Sequence, residues 1–237
     1  FDGKTWSLYL EELPYSNVYD CVENDDSART LLRLITDALH VLHTPDGSID
    51  EDVHAESLTK MCVDKTWTEY WSMMQQCATT ACKEYEVAKL FRLRPDHITA
   101  NGEVLGNFET VWEDVVRTHF QFNHLDVVYY RDHIHGDCCF SNILVSENNP
   151  RHPQVLKFVD MRGSFGGIPG TGGDIRYDYA KLLHSSRGYY EYLINDLFSL
   201  GIITCGKYVY TIDDDAAVME FFTNELLSHT ESLGIDT

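Results

Sequence analysis

The fold of this 237-residue chain is decided by two nearby segments, HIHGDCCFSNILV from His133 to Val145 and VLKFVDMRG from Val155 to Gly163. Asp137 ends an apolar stretch of the chain, and Asn142 follows it after four intervening residues. Asp160 ends a second apolar run, whose composition suits a buried strand. We expect the turn between the two runs to bring these three polar side chains together at strand ends.

Two carboxylates and an amide in this arrangement suit phosphoryl transfer. That reaction needs a carboxylate to orient the attacking hydroxyl and oxygen ligands to hold magnesium against the phosphates. The residues also permit a simpler interpretation. Asp and Asn side chains often bond their own backbone in turns, so Asp137 and Asn142 could merely shape a hairpin-like loop.

The pattern resembles the catalytic loop and metal-binding segment of the aminoglycoside phosphotransferase and choline kinase family, relatives of the protein kinases. Protein kinases have His-Arg-Asp in the loop and Asp-Phe-Gly in the metal segment. Here the loop is His135-Gly136-Asp137, and the metal segment begins at Asp160. The resemblance implies Asp137 as the catalytic base, Asn142 and Asp160 as magnesium ligands, and ATP or another nucleoside triphosphate as the phosphate donor. We expect His135 to support the loop structurally.

The resemblance extends toward both ends of the chain. The composition of Trp6–Pro14 predicts a strand, which in this family leads into the hinge between two lobes. The backbone carbonyl of Glu11 and the amide of Leu13 would then bind the adenine edge. From the residues alone, an ordinary edge strand ended by a proline remains open. The segment Asp174–His184 resembles the family helix that follows the metal segment, and Asp178 would brace the catalytic loop from below.

We therefore expect an α+β fold that is mainly helical, namely a protein-kinase-like C-terminal lobe. A hinge strand would occupy residues 1–14, and a single domain would span residues 15–237. Apolar spacing predicts helices over 25–42, 65–90, 104–120, 174–184 and 189–200 and a last helix from residue 213, with strand-like composition over 202–212. The glycine-rich segment 163–173 is expected to be mobile or tightly turned. Because no initiating Met, glycine-rich loop or paired Lys precedes the hinge, the N-terminal lobe is expected to lie outside this chain.

The net charge indicates which classes of partner to expect, and the cysteine content indicates the compartment. Lys and Arg number 18 against 38 Asp and Glu, so the formal net charge is −20, which argues against nucleic acid or an anionic membrane as partner. No apolar run approaches the roughly 20 residues of a membrane span. The seven scattered cysteines favour reduced thiols and a cytoplasmic protein. The acidity either keeps the protein soluble or lines a pocket for a cationic alcohol, with candidate wall residues Asp174, Glu191, Asp196 and Glu220.

Two functions remain open at this point. The first is ATP- and magnesium-dependent phosphoryl transfer to a hydroxyl of a small molecule such as choline, an aminoglycoside or a sugar-like alcohol. The second is a catalytically silent kinase-like module that binds nucleotide or acts as a scaffold. Protein kinase activity is disfavoured, because the loop has Gly in place of Arg and no Ala-Pro-Glu follows the glycine-rich segment.

Overall fold

A computed structural model describes residues 15–43, 49–70, 72, 97–106, 108–115, 129–146, 156–204, 206–212 and 216–235. The predicted hinge strand, with Glu11 and Leu13, lies outside the described residues. Most of the helix predicted over 65–90 lies outside them as well.

Within this part of the chain, helices and strands are mixed. The α-helices are α1 (Val18–Cys21), α2 (Asp25–Leu42), α3 (Glu51–Leu58), α4 (Phe108–Val115), α5 (Ile175–Ser186), α6 (Tyr190–Ile194) and α7 (Ala216–Ser232). The strands are β1 (Tyr15–Asn17), β2 (His97–Ala100), β3 (Glu103–Gly106), β4 (Tyr130–Arg131), β5 (Ile143–Ser146), β6 (Leu156–Phe158), β7 (Ser164–Phe165), β8 (Ile168–Pro169), β9 (Gly173–Asp174), β10 (Phe198–Thr204) and β11 (Lys207–Ile212). The predicted α+β class is confirmed. No helix in the described ranges is long and apolar enough to cross a membrane.

Helix α2 shows how the local sequence sets an element. Its first residues follow Asn24, whose side chain accepts the amide of Ser27 while the Ser27 hydroxyl accepts the amide of Asn24. This reciprocal capping box satisfies amides that have no partner within the helix. Leu31, Ile35 and Leu39 repeat at helical spacing and are almost completely buried. The helix predicted over 25–42 is therefore confirmed, with Asn24 as its cap.

The core lies where α2, α5 and α7 meet the segment that follows Asp137. Phe140 is fully buried, and its ring meets that of Phe222 on α7 edge to face, with centroids 4.9 Å apart. Leu182 on α5 and Leu226 on α7 are also fully buried. Edge-to-face aromatic pairs add to the free energy gained from apolar burial. The packing of Phe140 therefore fixes the chain three residues after Asp137.

An antiparallel sheet of order β1-β5-β6 carries the two ends of the predicted site. Ile143, the first residue of β5, pairs with Phe158, the last residue of β6. The amide of Val159 donates to the carbonyl of Asn142 at 3.0 Å. Because the start of one strand adjoins the end of the other, Asn142 and Asp160 lie at the same end of this hairpin.

A second sheet has the order β10-β11-β2-β3, in which β11 and β2 are parallel and the other pairs are antiparallel. The strand structure expected over residues 202–212 is thus confirmed, since these residues belong to the β10–β11 hairpin. The glycine-rich segment contains the short β7–β8 hairpin. Its turn residues Gly166 and Gly167 have φ of +55° and +87°, a conformation that glycine adopts without steric cost.

Three helix boundaries were predicted wrongly. The helix predicted from residue 65 does not begin there, because α3 continues through a π-helix (Thr59–Asp64) directly into it. The helix predicted from residue 104 begins only at Phe108, because Asn101 and Gly102 have φ of +50° and +87° and turn the chain into the β2–β3 hairpin. Asn-Gly is a favoured pair for such two-residue turns. The helix predicted to reach Leu200 ends at Ile194. Asp196 has φ of +57°, and the chain then enters β10 and pairs with β11.

The first prediction tests whether α2 is held by its buried face. Leu39→Ala should lower the free energy of unfolding by about 2–5 kcal/mol, because a fully buried leucine leaves a cavity. Val41 lies on the same helix but is 72% exposed. Val41→Ala is thus the control and should change stability by no more than about 0.5 kcal/mol. Urea denaturation of both variants provides the test, and equal losses would contradict this packing.

Candidate active site around Asp137

A single buried carboxylate holds the loop that contains Asp137. The Asp178 side chain, fully buried on α5, accepts the backbone amides of His135 at 2.8 Å and of Gly136 at 2.7 Å. His43 Nε2 lies 2.9 Å from the same carboxylate. The contact between Asp178 and the loop, expected from the resemblance, is therefore present. Hydrogen bonds to a charged group are stronger than neutral ones, so these bonds fix the loop just before Asp137.

His135 supports the loop from within. Its side chain is fully buried, and its Nδ1 accepts the backbone amide of Asp137 at 3.2 Å. Burial lowers the pKa of His135, although the nearby carboxylate of Asp178 opposes this shift. The ring is therefore neutral near pH 7 with its proton on Nε2, since Nδ1 is the acceptor. This geometry agrees with a structural role.

Asp137 lies between two cations. Its Oδ1 is 2.8 Å from the Lys181 ammonium, and its Oδ2 is 3.3 Å from Nη2 of Arg162. Burial acts to raise the pKa of Asp137, but the hydrogen bonds and positive charges of Lys181 and Arg162 outweigh it, and the net pKa is lowered. The side chain keeps 23% of its surface exposed. Asp137 is thus an ionised carboxylate with access to solvent.

Gly136 allows the loop that contains Asp137 to lie close to the segment that contains Arg162. Its φ is +76°, and a Cβ at this position would come within 2.9 Å of the Arg162 Cβ. The amide of Arg162 also donates to the carbonyl of His135 at 2.9 Å. A larger residue in place of Gly136 would be strained and would push Arg162 away from Asp137.

The expected metal ligands differ in how far the structure fixes them. Asn142 ends a 3₁₀ turn over Phe140–Asn142, and its Nδ2 donates to the Asp137 carbonyl at 2.9 Å. This bond uses the amide nitrogen and, among the described residues, leaves the amide oxygen without a hydrogen bond. Asp160 is exposed and has φ of +58°. No group of three or more His, Cys, Asp or Glu in the described ranges is arranged to hold a metal ion.

The donor chemistry of Asn142 and Asp160 fits magnesium. An amide oxygen and a carboxylate are hard oxygen ligands, and magnesium in nucleotide sites keeps several waters and takes one or two protein carboxylates beside the phosphates. Two protein ligands at the end of the β5–β6 hairpin are therefore enough for such a site. Their roles remain predictions.

The candidate acidic wall is not assembled as predicted. Asp174 is fully buried and pairs with His54 and with the guanidinium of Arg176. Glu191 is 2% exposed, and its Oε1 accepts the amide of Ser141 and the hydroxyl of Ser185. Asp196 and Glu220 are exposed. Asp174 and Glu191 are therefore buried within the fold, where both oxygens of Asp174 and the Oε1 atom of Glu191 already have partners.

Three partners of the site were not predicted. Arg162 and Lys181 contact Asp137, and His43 contacts Asp178. Lys181 could have been found, because it follows Asp178 by three residues on a helix and so lies on the same face. His43 lies 135 residues from Asp178 in sequence, and no local pattern indicates such a contact.

The chain was compared with protein-family models, curated proteins and solved structures, and no match was found in any of the three comparisons. The resemblance stated above therefore depends on the residues of the chain itself.

The hydrogen bonds from the loop to Asp178 can be tested by removing the charge of this side chain. Asp178→Asn should lower the free energy of unfolding by about 2–4 kcal/mol, because an amide cannot accept both backbone N–H groups as a carboxylate does and leaves a buried donor unpaired. Amide hydrogen exchange at His135 and Gly136 should become faster. Asp196→Asn is the control, since Asp196 is exposed and Asn tolerates its backbone conformation. Equal effects of the two substitutions, in denaturant melts and in exchange rates, would show that Asp178 does not hold the loop.

Proposed function

We propose that the protein is a magnesium-dependent phosphotransferase that moves the γ-phosphoryl group of ATP, or another nucleoside triphosphate, to a hydroxyl of a small molecule. The fold around the site would then be the C-terminal lobe of a protein-kinase-like enzyme. The observation that carries the proposal is the ionised, partly exposed Asp137 on a loop fixed by Asp178, with Asn142 bonded to its backbone.

The lowered pKa of Asp137 is compatible with this chemistry. Phosphoryl transfer passes through a loose transition state, so a strong base is needed less than a carboxylate that orients the attacking hydroxyl. Such a carboxylate must be ionised and held in position. Asp137 meets both requirements, because its cationic neighbours keep it ionised and its backbone is bonded to His135 and Asn142.

Asn142 and Asp160 would hold the magnesium ion. When bound, the ion would neutralise phosphate charge and orient the leaving group. Lys181 and Arg162 add two positive charges beside the carboxylate. Both groups suit phosphate oxygens, Arg as a planar donor and Lys as a compact charge.

One observation favours the second candidate, a catalytically silent module. Both carboxylate oxygens of Asp137 are already close to cations, and an acceptor hydroxyl would compete with them. If the protein is an enzyme, the phosphates of the nucleotide should draw Lys181 and Arg162 away from Asp137, and the substrate should be converted. A silent module would keep the ion pairs when nucleotide binds.

Replacement of Asp137 separates these two functions. In the complete protein, Asp137→Asn should lower turnover by about 10² or more and leave nucleotide affinity nearly unchanged, because general base catalysis contributes about 10²–10⁴. Turnover is measured as ADP release with choline, an aminoglycoside and a neutral sugar, and affinity by calorimetry. Nucleotide binding without turnover in the unmodified protein would favour the silent module, and unchanged turnover in the variant would remove Asp137 from the mechanism.

Replacement of Asp160 tests the metal site. Asp160→Ala should abolish the magnesium dependence of nucleotide binding, because the cation loses its charged oxygen ligand. Asp196→Ala is a matched control, since both residues are exposed aspartates with φ near +57° and both substitutions introduce the same backbone strain. Calorimetry with and without magnesium measures the effect. If the two variants keep the same magnesium dependence, Asp160 is not a ligand.

A further inference from the structure

A cavity of about 430 Å³ lies between the β10–β11 hairpin and the end of α5. None of the residues assigned above to the site around Asp137 lines it. The lining residues are Ile98, Ala100, Arg187, Gly188, Tyr189, Leu193, Phe198, Leu200, Tyr208, Tyr210 and Ile212.

The sheet wall of this cavity is one continuous apolar face. Phe198 pairs with Ile212, and Leu200 pairs with Tyr210 across the hairpin. Tyr208 lies beside Ala100 of the parallel neighbour β2. Because alternate strand residues face the same side, these aromatic and aliphatic side chains line the cavity together.

Within the described residues, this face is covered incompletely. Leu200 is 45% exposed and Tyr210 is 42% exposed. On the opposite wall, Leu193 of α6 is 45% exposed. A sheet with one apolar face normally buries that face in the core. Here part of that face is left open, in a hollow whose volume falls within the range of small-molecule sites, about 300–1,000 Å³.

Tyr208 has a buried hydroxyl that lacks a hydrogen-bond partner among the described residues. The residue is 6% exposed, and no atom of the described structure pairs with its hydroxyl. A buried polar group without a partner costs free energy, and such groups are rare in folded proteins. A ligand atom in the cavity that accepts a hydrogen bond would remove this cost.

Arg187 supplies the cationic group of the lining. It follows α5, and within the described ranges no carboxylate pairs with its guanidinium. A cation at the end of a helix is favourable in itself, so Arg187 alone would not indicate a ligand. Arg187 and the unpartnered Tyr208 hydroxyl are thus two polar groups among the mostly apolar residues that line the cavity. Glu220 is close enough to Tyr189 to influence its pKa, but it does not line the cavity.

We propose that this cavity binds a small amphipathic anion, with an aromatic or acyl body against the sheet face and a carboxylate or phosphate bonded to Arg187. The ligand is a free molecule and not a lipid in a membrane, because a chain of net charge −20 is repelled by an anionic surface. This site is independent of the phosphotransferase proposed above.

The test compares two nearly isosteric probes, 2-naphthoate and neutral 2-naphthamide, by calorimetry on the complete protein. We expect saturable binding of naphthoate at one site, tighter than that of naphthamide. Arg187→Gln should weaken naphthoate about tenfold or more and leave naphthamide almost unchanged, because only the anion loses a charge-assisted bond. Leu193→Trp should fill the cavity and weaken both probes about tenfold or more.

Ile203→Trp is the matched control, because Ile203 is a 65% exposed apolar residue that does not line the cavity. It should leave both affinities unchanged. The substituted positions are exposed, so unfolding midpoints should agree among the variants and establish that each one folds. Equal affinity for the two probes, or naphthoate binding that Arg187→Gln and Leu193→Trp leave intact, would overturn the proposal.

Discussion

The carboxylate of Asp178 accepts the backbone amides of His135 and Gly136, and the rest of the candidate site depends on these two bonds. A buried charge without partners is costly, whereas one that accepts several hydrogen bonds can be accommodated. The two amides and His43 supply those partners. Because the backbone donors belong to the loop, the hydrogen bonds that satisfy the buried Asp178 carboxylate also set the course of the chain into Asp137.

Helix α5, which contains Asp178, positions the site through residues on successive turns. Asp174 caps the N-terminus of α5 by accepting the amide of Arg176, Asp178 holds the loop one turn later, and Lys181 reaches the carboxylate of Asp137 after a further turn. Residues at this spacing share one face of a helix. A single rigid element therefore fixes both the backbone of the loop and the charge beside its carboxylate. On the far side, Glu191 of α6 holds the amide of Ser141, next to Asn142.

The sequence predicted those features that depend on local spacing. The loop was predictable, because Asp137 and Asn142 lie in one short segment. Its contact with Asp178 was predictable as well, because Asp178 follows a helix cap by four residues. The strand pairing that joins Asn142 to the segment before Asp160 was anticipated only as a turn. Glu191 was assigned to an acidic wall, since sequence does not reveal that its side chain is buried with Oε1 bonded to Ser141 and Ser185. The Asn-Gly hairpin signal at Asn101 was missed, because apolar residues at helical spacing from Val104 favoured a helix.

Net charge and local charge lead to different conclusions about ligands. A total of −20 repels an extended polyanion, whose contacts cover many surface charges. A single triphosphate is smaller than that, and salt screens exposed charges beyond about 8 Å at physiological ionic strength. Close to Asp137 the nearest charges are the ammonium of Lys181 at 2.8 Å and the guanidinium of Arg162 at 3.3 Å. The acidity of the whole chain therefore argues against nucleic acid but not against a nucleotide, because these two cations offset negative charge at the proposed phosphate site.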